Sequence, residues 1–136
     1  MGSAAEIFQM SIPVVPSDID NMQHVNNVAY LRWVQDVAVS HWRALATPAE
    51  QQEVLWVVVR HEIDYKCPAV LGDEVLAKTW VGPARGLKFL RHTELCRSTD
   101  GTLLAKALST WCPVNAITKR PTLVSDEVRR RFSVPD

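Results

Sequence analysis

A single stretch constrains the fold of this chain more than any other. From Val28 onward, Leu31, Val34, Ala38, Trp42 and Leu45 fall near the i, i+3, i+7 series and so share one helical face. Tyr30, Trp33, Val37 and His41 widen that face beyond half the circumference, leaving Arg32, Asp36, Ser40 and Arg43 as a polar stripe. A helix this apolar is expected to be wrapped by other structure. Asn26 or Asn27 is the natural N-cap, since a short amide can accept from the orphan N–H groups of the first turn. The remaining free N–H groups, with the partial positive charge of the helix end, suit an anionic oxygen or a polarised carbonyl.

The rest of the chain reads mainly as strands. Residues 7–15 form a short β-type run in which Pro13 implies an edge or a bulge, and Thr47-Pro48 marks a boundary after the helix. Strands are predicted over 54–65, 74–81, 87–97 and 103–113. In the first of these, Val59, His61, Ile63 and Tyr65 are expected on one face, with Arg60, Glu62 and Asp64 on the other. Residues 82–86 are a hairpin or loop signal, and Asp100-Gly101 closes a tight turn. Ser125 caps a short C-terminal helix reaching Phe132. Hairpins impose antiparallel neighbours, so the predicted class is α+β, with the long helix lying across one face of a five-stranded antiparallel sheet.

At 136 residues, the whole chain 1–136 is expected to be one domain. Fifteen basic and fifteen acidic residues cancel, which gives no footprint for nucleic acid or for an anionic membrane surface. No apolar run reaches the ~20 residues needed to span a bilayer, and no leader pattern opens the chain, so the expectation is a soluble, cytoplasmic protein. Cys67, Cys96 and Cys112 are odd in number and share no C-x-x-C spacing, which argues against a disulfide framework or a zinc site.

Asp18 to Tyr30, reading D-I-D-N-M-Q-H-V-N-N-V-A-Y, resembles the D-x-D-x-x-x-H-V-N-N-x-x-Y signature of hotdog-fold thioesterases. That group includes the hydroxybenzoyl-coenzyme A thioesterases and the plant acyl-carrier-protein thioesterases. The resemblance implies a curled five-stranded sheet around a central helix. It also implies hydrolysis of an acyl or aroyl thioester to free acid and thiol, with no cofactor and no metal. Acyl-coenzyme A is the expected substrate, acyl carrier protein (ACP) thioesters the alternative, and a non-catalytic acyl-thioester-binding protein a further one. Hydratase chemistry, also found on this fold, ranks last because Asp20 and His24 are four apart rather than five.

By the same resemblance the second aspartate, Asp20, supplies the carboxylate, either attacking the thioester directly or activating water. The oxyanion donor is a backbone N–H near Asn27. His24 corresponds to a histidine with a catalytic role in the plant enzymes, although Met22 stands where those enzymes carry an asparagine. Gln23 occupies a position where many coenzyme A-using relatives have glycine. Tyr30 closes the signature as a substrate-binding residue. Asp18 is expected to order the loop rather than react. Arg85, Lys88 and Arg91 are candidates for the coenzyme A phosphates, with Lys119 and Arg120 second. Family members associate through their sheets, which implies a homodimer or homotetramer here; the tryptophans at 33, 42, 56, 80 and 111 would serve either that interface or the core.

Overall fold

The computed structural model describes residues 6–83 and 85–133. The ends of the expected domain and residue 84 of the expected hairpin loop lie outside that description. In chain order the elements are β1 (Phe8–Pro13), α1 (Asn27–Leu45), α2 (Pro48–Glu53), β2 (Val54–Tyr65), β3 (Glu74–Val81), β4 (Phe89–Arg97), β5 (Leu103–Asn115) and α3 (Asp126–Phe132). The strands form one antiparallel sheet in the order β1-β3-β4-β5-β2. Pro13 ends β1, an edge strand that among the described residues pairs only with β3, so its missing N–H costs the ladder nothing.

The sheet curls around α1, which buries Ala29, Tyr30, Trp33, Val34, Val37, Ala38 and His41. Against this face pack Val75 and Ala77 of β3, Leu95 of β4 and Leu104 and Ala105 of β5. Burial is one-sided: Val28, Val39 and Leu45 stay exposed, so the helix is less fully wrapped than its composition suggests. A second cluster lies toward the C-terminal end of α1, where Ala46, Val81, Phe89, Val124, Val128 and Phe132 meet Trp42, Val54 and Trp56.

Two local features depart from the sequence reading. Thr47-Pro48 does not simply end the long helix. It starts α2, with Thr47 accepting from the Glu50 N–H at 3.1 Å and Glu50 accepting from the Thr47 N–H at 2.9 Å. That reciprocal box with proline in the first turn is a helix-start pattern. In β2, the register against β5 shifts between Val58 and Arg60. The extra residue, Val59, drops out of the expected inward row and is exposed, while His61 and Ile63 keep to it.

Candidate active site

The loop before α1 is built by its two aspartates in different ways. Asp18 is buried; its carboxylate accepts from the Val15 N–H at 3.0 Å and from Arg32 at 2.5 Å. Its carbonyl accepts from the Asn26 N–H at 2.7 Å. Asp18 therefore ties β1's exit to the start of the helix, as an ordering residue would. Beyond it Ile19 bridges Val25, and the Asp20 N–H donates to the His24 carbonyl at 2.9 Å, closing a tight turn. Gln23 sits in that turn with φ of 63°. This left-handed conformation is one glycine adopts without penalty, a physical reason for the glycine of the coenzyme A-using relatives.

Asp20 is half-buried, and one carboxylate oxygen accepts from the Met22 N–H at 2.8 Å. Asn26 caps the helix through the Val28 N–H at 2.9 Å, which makes Asn27 the first helical residue. The Ala29 N–H goes to the Asn26 carbonyl at 2.9 Å, whereas the Asn27 N–H has no partner among the described residues. Asp20, His24, Asn27 and Tyr30 line one cavity of about 320 Å³, together with Tyr65, Lys66, Cys67 and Pro68 from the end of β2. Four of the seven expected site residues thus come together.

Tyr30 is held deep in this wall. Its hydroxyl accepts from the Ala69 N–H at 2.8 Å, and its ring meets Trp33 and Tyr65 edge-on at 5.2 and 5.4 Å. Burial raises its pKa, so it remains a neutral phenol. The Ala69 carbonyl in turn accepts from the Val25 N–H at 2.9 Å, so the segment after β2 is latched to both the loop and the helix.

The remaining three residues do not join them. Arg85 and Lys88 are exposed in the β3–β4 connection. Through Phe89 opposite Trp111 and Trp111 opposite Val58, that connection lies toward the beginning of β2, whereas the cavity lies at its end, Tyr65. Seven residues of strand separate these levels by roughly 23 Å. Within one protomer neither cation is positioned at the cavity. Arg91 is not a surface residue at all: it is buried, donating to His41 Nδ1 at 2.9 Å and to Thr79 Oγ1 at 3.0 Å. Its alternation with Phe89, Thr93 and Leu95, all buried, turns it inward. Lys66, which the sequence reading passed over, is the lysine that lines the cavity; only its place at the exact end of a β run could have marked it.

The family model of the thioesterase-like superfamily matches residues 14–132. The chain belongs to that superfamily. It is 26% identical over 129 residues to the long-chain acyl-CoA thioesterase FadM of Escherichia coli (strain K12), covering 91% of this chain and 96% of FadM. It is 25% identical over 132 residues to a chloroplastic palmitoyl-acyl carrier protein thioesterase of Gossypium hirsutum. That match covers 90% of this chain and 32% of the plant protein, so the chain spans about a third of the latter's length. Among solved structures, YbaW, a probable thioesterase from Escherichia coli, superposes with a TM-score of 0.76 at 26% identity, over 89% of this chain and 92% of YbaW. The architecture is the α+β hotdog arrangement of thioesterases, and the superfamily is one of thioester hydrolases.

Proposed function

We propose that this thioesterase-superfamily member is an acyl-coenzyme A thioesterase that uses Asp20 and the Asn27 N–H. One observation carries the reading: a carboxylate and a free N–H at the positive end of a buried helix border the same cavity. A thioester carbonyl seated there has its oxygen against the Asn27 N–H, which stabilises the negative charge that develops on attack. Asp20 either adds to the carbonyl carbon, forming a mixed anhydride that water then opens, or takes a proton from the attacking water. In both routes the C–S bond breaks, coenzyme A leaves as the thiol and the acyl group leaves as the free acid. His24 and Tyr30 border the same space, and of the lysines it is Lys66 that can meet a coenzyme A phosphate there. Similarity to FadM over nearly its whole length supports the coenzyme A carrier.

An acyl carrier protein thioester is the second reading, favoured by Gln23 in place of glycine and by the likeness to the plant enzyme. A thiol-release assay over acyl- and aroyl-coenzyme A thioesters, with matched acyl carrier protein thioesters, separates the carriers. Turnover of the coenzyme A esters that Asp20→Asn abolishes is the expected result. Silence across the whole panel removes hydrolysis in favour of a binding protein.

The assembly belongs to the same proposal. Among the described residues β2 pairs only with β5, and it carries exposed Leu55, Val57 and Val59 along the unpaired edge. An apolar unpaired edge of this length invites a second copy, giving a homodimer or a dimer of dimers. Among the described residues no helix is long and apolar enough to cross a membrane.

A further inference from the structure

The far wall of the Asp20 cavity is a piece of chain without repeating structure. β2 ends at Tyr65, and Pro68, which has no N–H to give to a ladder, stops a strand from continuing. Lys66, Cys67 and Pro68 line the cavity before the chain turns at Gly72, whose φ is 95°, into β3. With no ladder to fix it, such a segment is placed by its individual hydrogen bonds. The Lys66 and Cys67 N–H groups both donate to the Leu104 carbonyl, at 2.8 and 3.1 Å. Ala69 is held by Tyr30 and Val25. Pro68, between these two anchors, has only a carbonyl to offer, and its partner among the described residues is Arg97 Nη2 at 3.2 Å.

Arg97, at the end of β4, is not itself part of the cavity lining. Its guanidinium is spread over three acceptors: Nε meets Asp73 at 3.2 Å, Nη1 meets Asp100 at 3.1 Å and Nη2 meets the Pro68 carbonyl. The same Asp73 oxygen accepts from the Val70 N–H at 3.0 Å, so one carboxylate grips the segment and the guanidinium together. Asp100 belongs to the β4–β5 turn, where its other oxygen accepts from the Thr102 N–H at 3.0 Å. Arg97 thus joins a closed hairpin turn to the back of the cavity wall. Its side chain is 19% exposed and that of Asp73 15%, which sets the pair apart from open surface ion pairs that hold nothing in place. A planar fork serves three directions at once, and an ammonium in its place does not.

We infer that Arg97 is a positioning residue for the reaction at Asp20: through the Pro68 carbonyl it fixes how far the wall of residues 66–68 stands from the start of α1. This rests on the function proposed above. There the wall, with Lys66, meets the thiol carrier and not the carbonyl under attack. Its contacts are the same in the ground state and the transition state, so misplacing it removes uniform binding and raises KM while kcat holds. The Asp20 turn and the Asn26 cap contain no bond to Arg97 and stay as they are.

The test is Arg97→Lys, which keeps the charge opposite Asp73 and gives up the fork. Thiol release on the best substrate of the panel gives kcat and KM, and calorimetry gives the Kd of S-decyl-coenzyme A, a thioether that cannot be hydrolysed. KM and the thioether Kd are each expected to rise about five-fold or more, with kcat within about two-fold of wild type. Asp73→Asn keeps an acceptor for the Val70 N–H and loses the charge that aims the guanidinium; it should shift both in the same direction, and it decides if the lysine variant does not fold. Asp100→Asn, on the turn side of the guanidinium, should leave both unchanged. Unaltered KM and Kd in folded Arg97→Lys, a loss confined to kcat, or an equal rise in Asp100→Asn overturns the assignment. A wild type that binds the thioether but turns over no thioester overturns the hydrolase reading alone, and the Kd values then decide for Arg97. A wild type that does neither overturns both.

Discussion

Arg91 and His41 meet in the buried layer between β4 and α1, the guanidinium donating to Nδ1 across 2.9 Å. Phe8 stacks on the imidazole at 5.1 Å and Phe132 meets it edge-on at 5.0 Å. Burial first, and the adjacent cation second, lower the pKa of His41 from 6.5 to about 3. His41 is therefore a neutral acceptor across the physiological range. Unfolding releases it to water, where it binds a proton below pH 6.5, so between about 3 and 6.5 the unfolded chain holds more protons than the folded one. Stability is then complete above pH 6.5 and falls as pH drops, by up to about 1.4 kcal/mol per unit. His61, also lowered by burial, acts in the same sense. Glu50 and Asp100 have depressed pKa values and lose their contributions only below their ordinary values of 4.5 and 3.8. Urea midpoints between pH 4.5 and 6.5 therefore isolate the histidines. His41→Gln, which keeps an acceptor and does not titrate, should flatten the slope; an unchanged slope would show that His41 does not carry it.

Asp18 and Asp20 are two residues apart and should respond to the same substitution in different ways. Asp18→Asn removes the charge that faces Arg32 and weakens a buried acceptor of the Val15 N–H. Arg32 is half-exposed and can rehydrate, so the expected loss is about 1–3 kcal/mol of stability rather than the larger cost of a fully buried pair. Denaturant unfolding measures it. Wild-type stability in Asp18→Asn would mean that the loop is held by its backbone contacts alone.

Asp20→Asn should do the reverse. The amide oxygen can still accept from the Met22 N–H, so the melting temperature should stay within a degree or two of wild type. Turnover should fall by at least about a hundred-fold, since an amide can neither attack nor accept the proton. The informative comparison is kcat at matched thermal stability. Retention of wild-type kcat would remove Asp20 from the chemistry.

The strand map was legible because hairpin chemistry is local. β2 and β3 run over the expected residues 54–65 and 74–81, and Gly101 takes φ of 74° where Asp100-Gly101 predicted a tight turn. The bulge at Val59 was hidden, because the run of three valines, Val57 to Val59, alternates equally well in either phase. Arg91 was misread for a related reason. Its position near a loop suggested solvent, whereas its phase with Phe89 and Leu95 turns it into the core. The far wall of the Asp20 cavity was beyond reach for another reason: Tyr65 to Pro68 arrive there through the Ala69 contacts with Tyr30 and Val25, some forty residues from the helix start.

The exposed edge of β2 yields a test of assembly. A lysine at Val57 adds charge to an apolar edge without touching the buried face of the strand, since Val57 is 46% exposed in the single protomer. Sedimentation of wild type is expected to give a dimer or larger species, and Val57→Lys a species near the 15.3 kDa chain mass. A wild-type protein that sediments as the monomer at micromolar concentration would remove the edge as an interface.

The Asn27 N–H can be tested without disturbing the helix that presents it. Asn27 is the first helical residue, a position where proline is favoured because the N–H it lacks has no intrahelical partner. The residue before it, Asn26, has φ of −63° and ψ of 139°, the extended conformation that a following proline requires. Asn27→Pro should therefore fold with near-normal stability while deleting one backbone donor at the cavity. Loss of such a donor typically costs about 10²–10³ in kcat. Asn27→Ala keeps the N–H and removes only the side chain, so it should retain most of the wild-type rate. If the alanine variant is as inactive as the proline variant, the side-chain amide is the required group. If both keep the wild-type rate, the oxyanion is held by another donor.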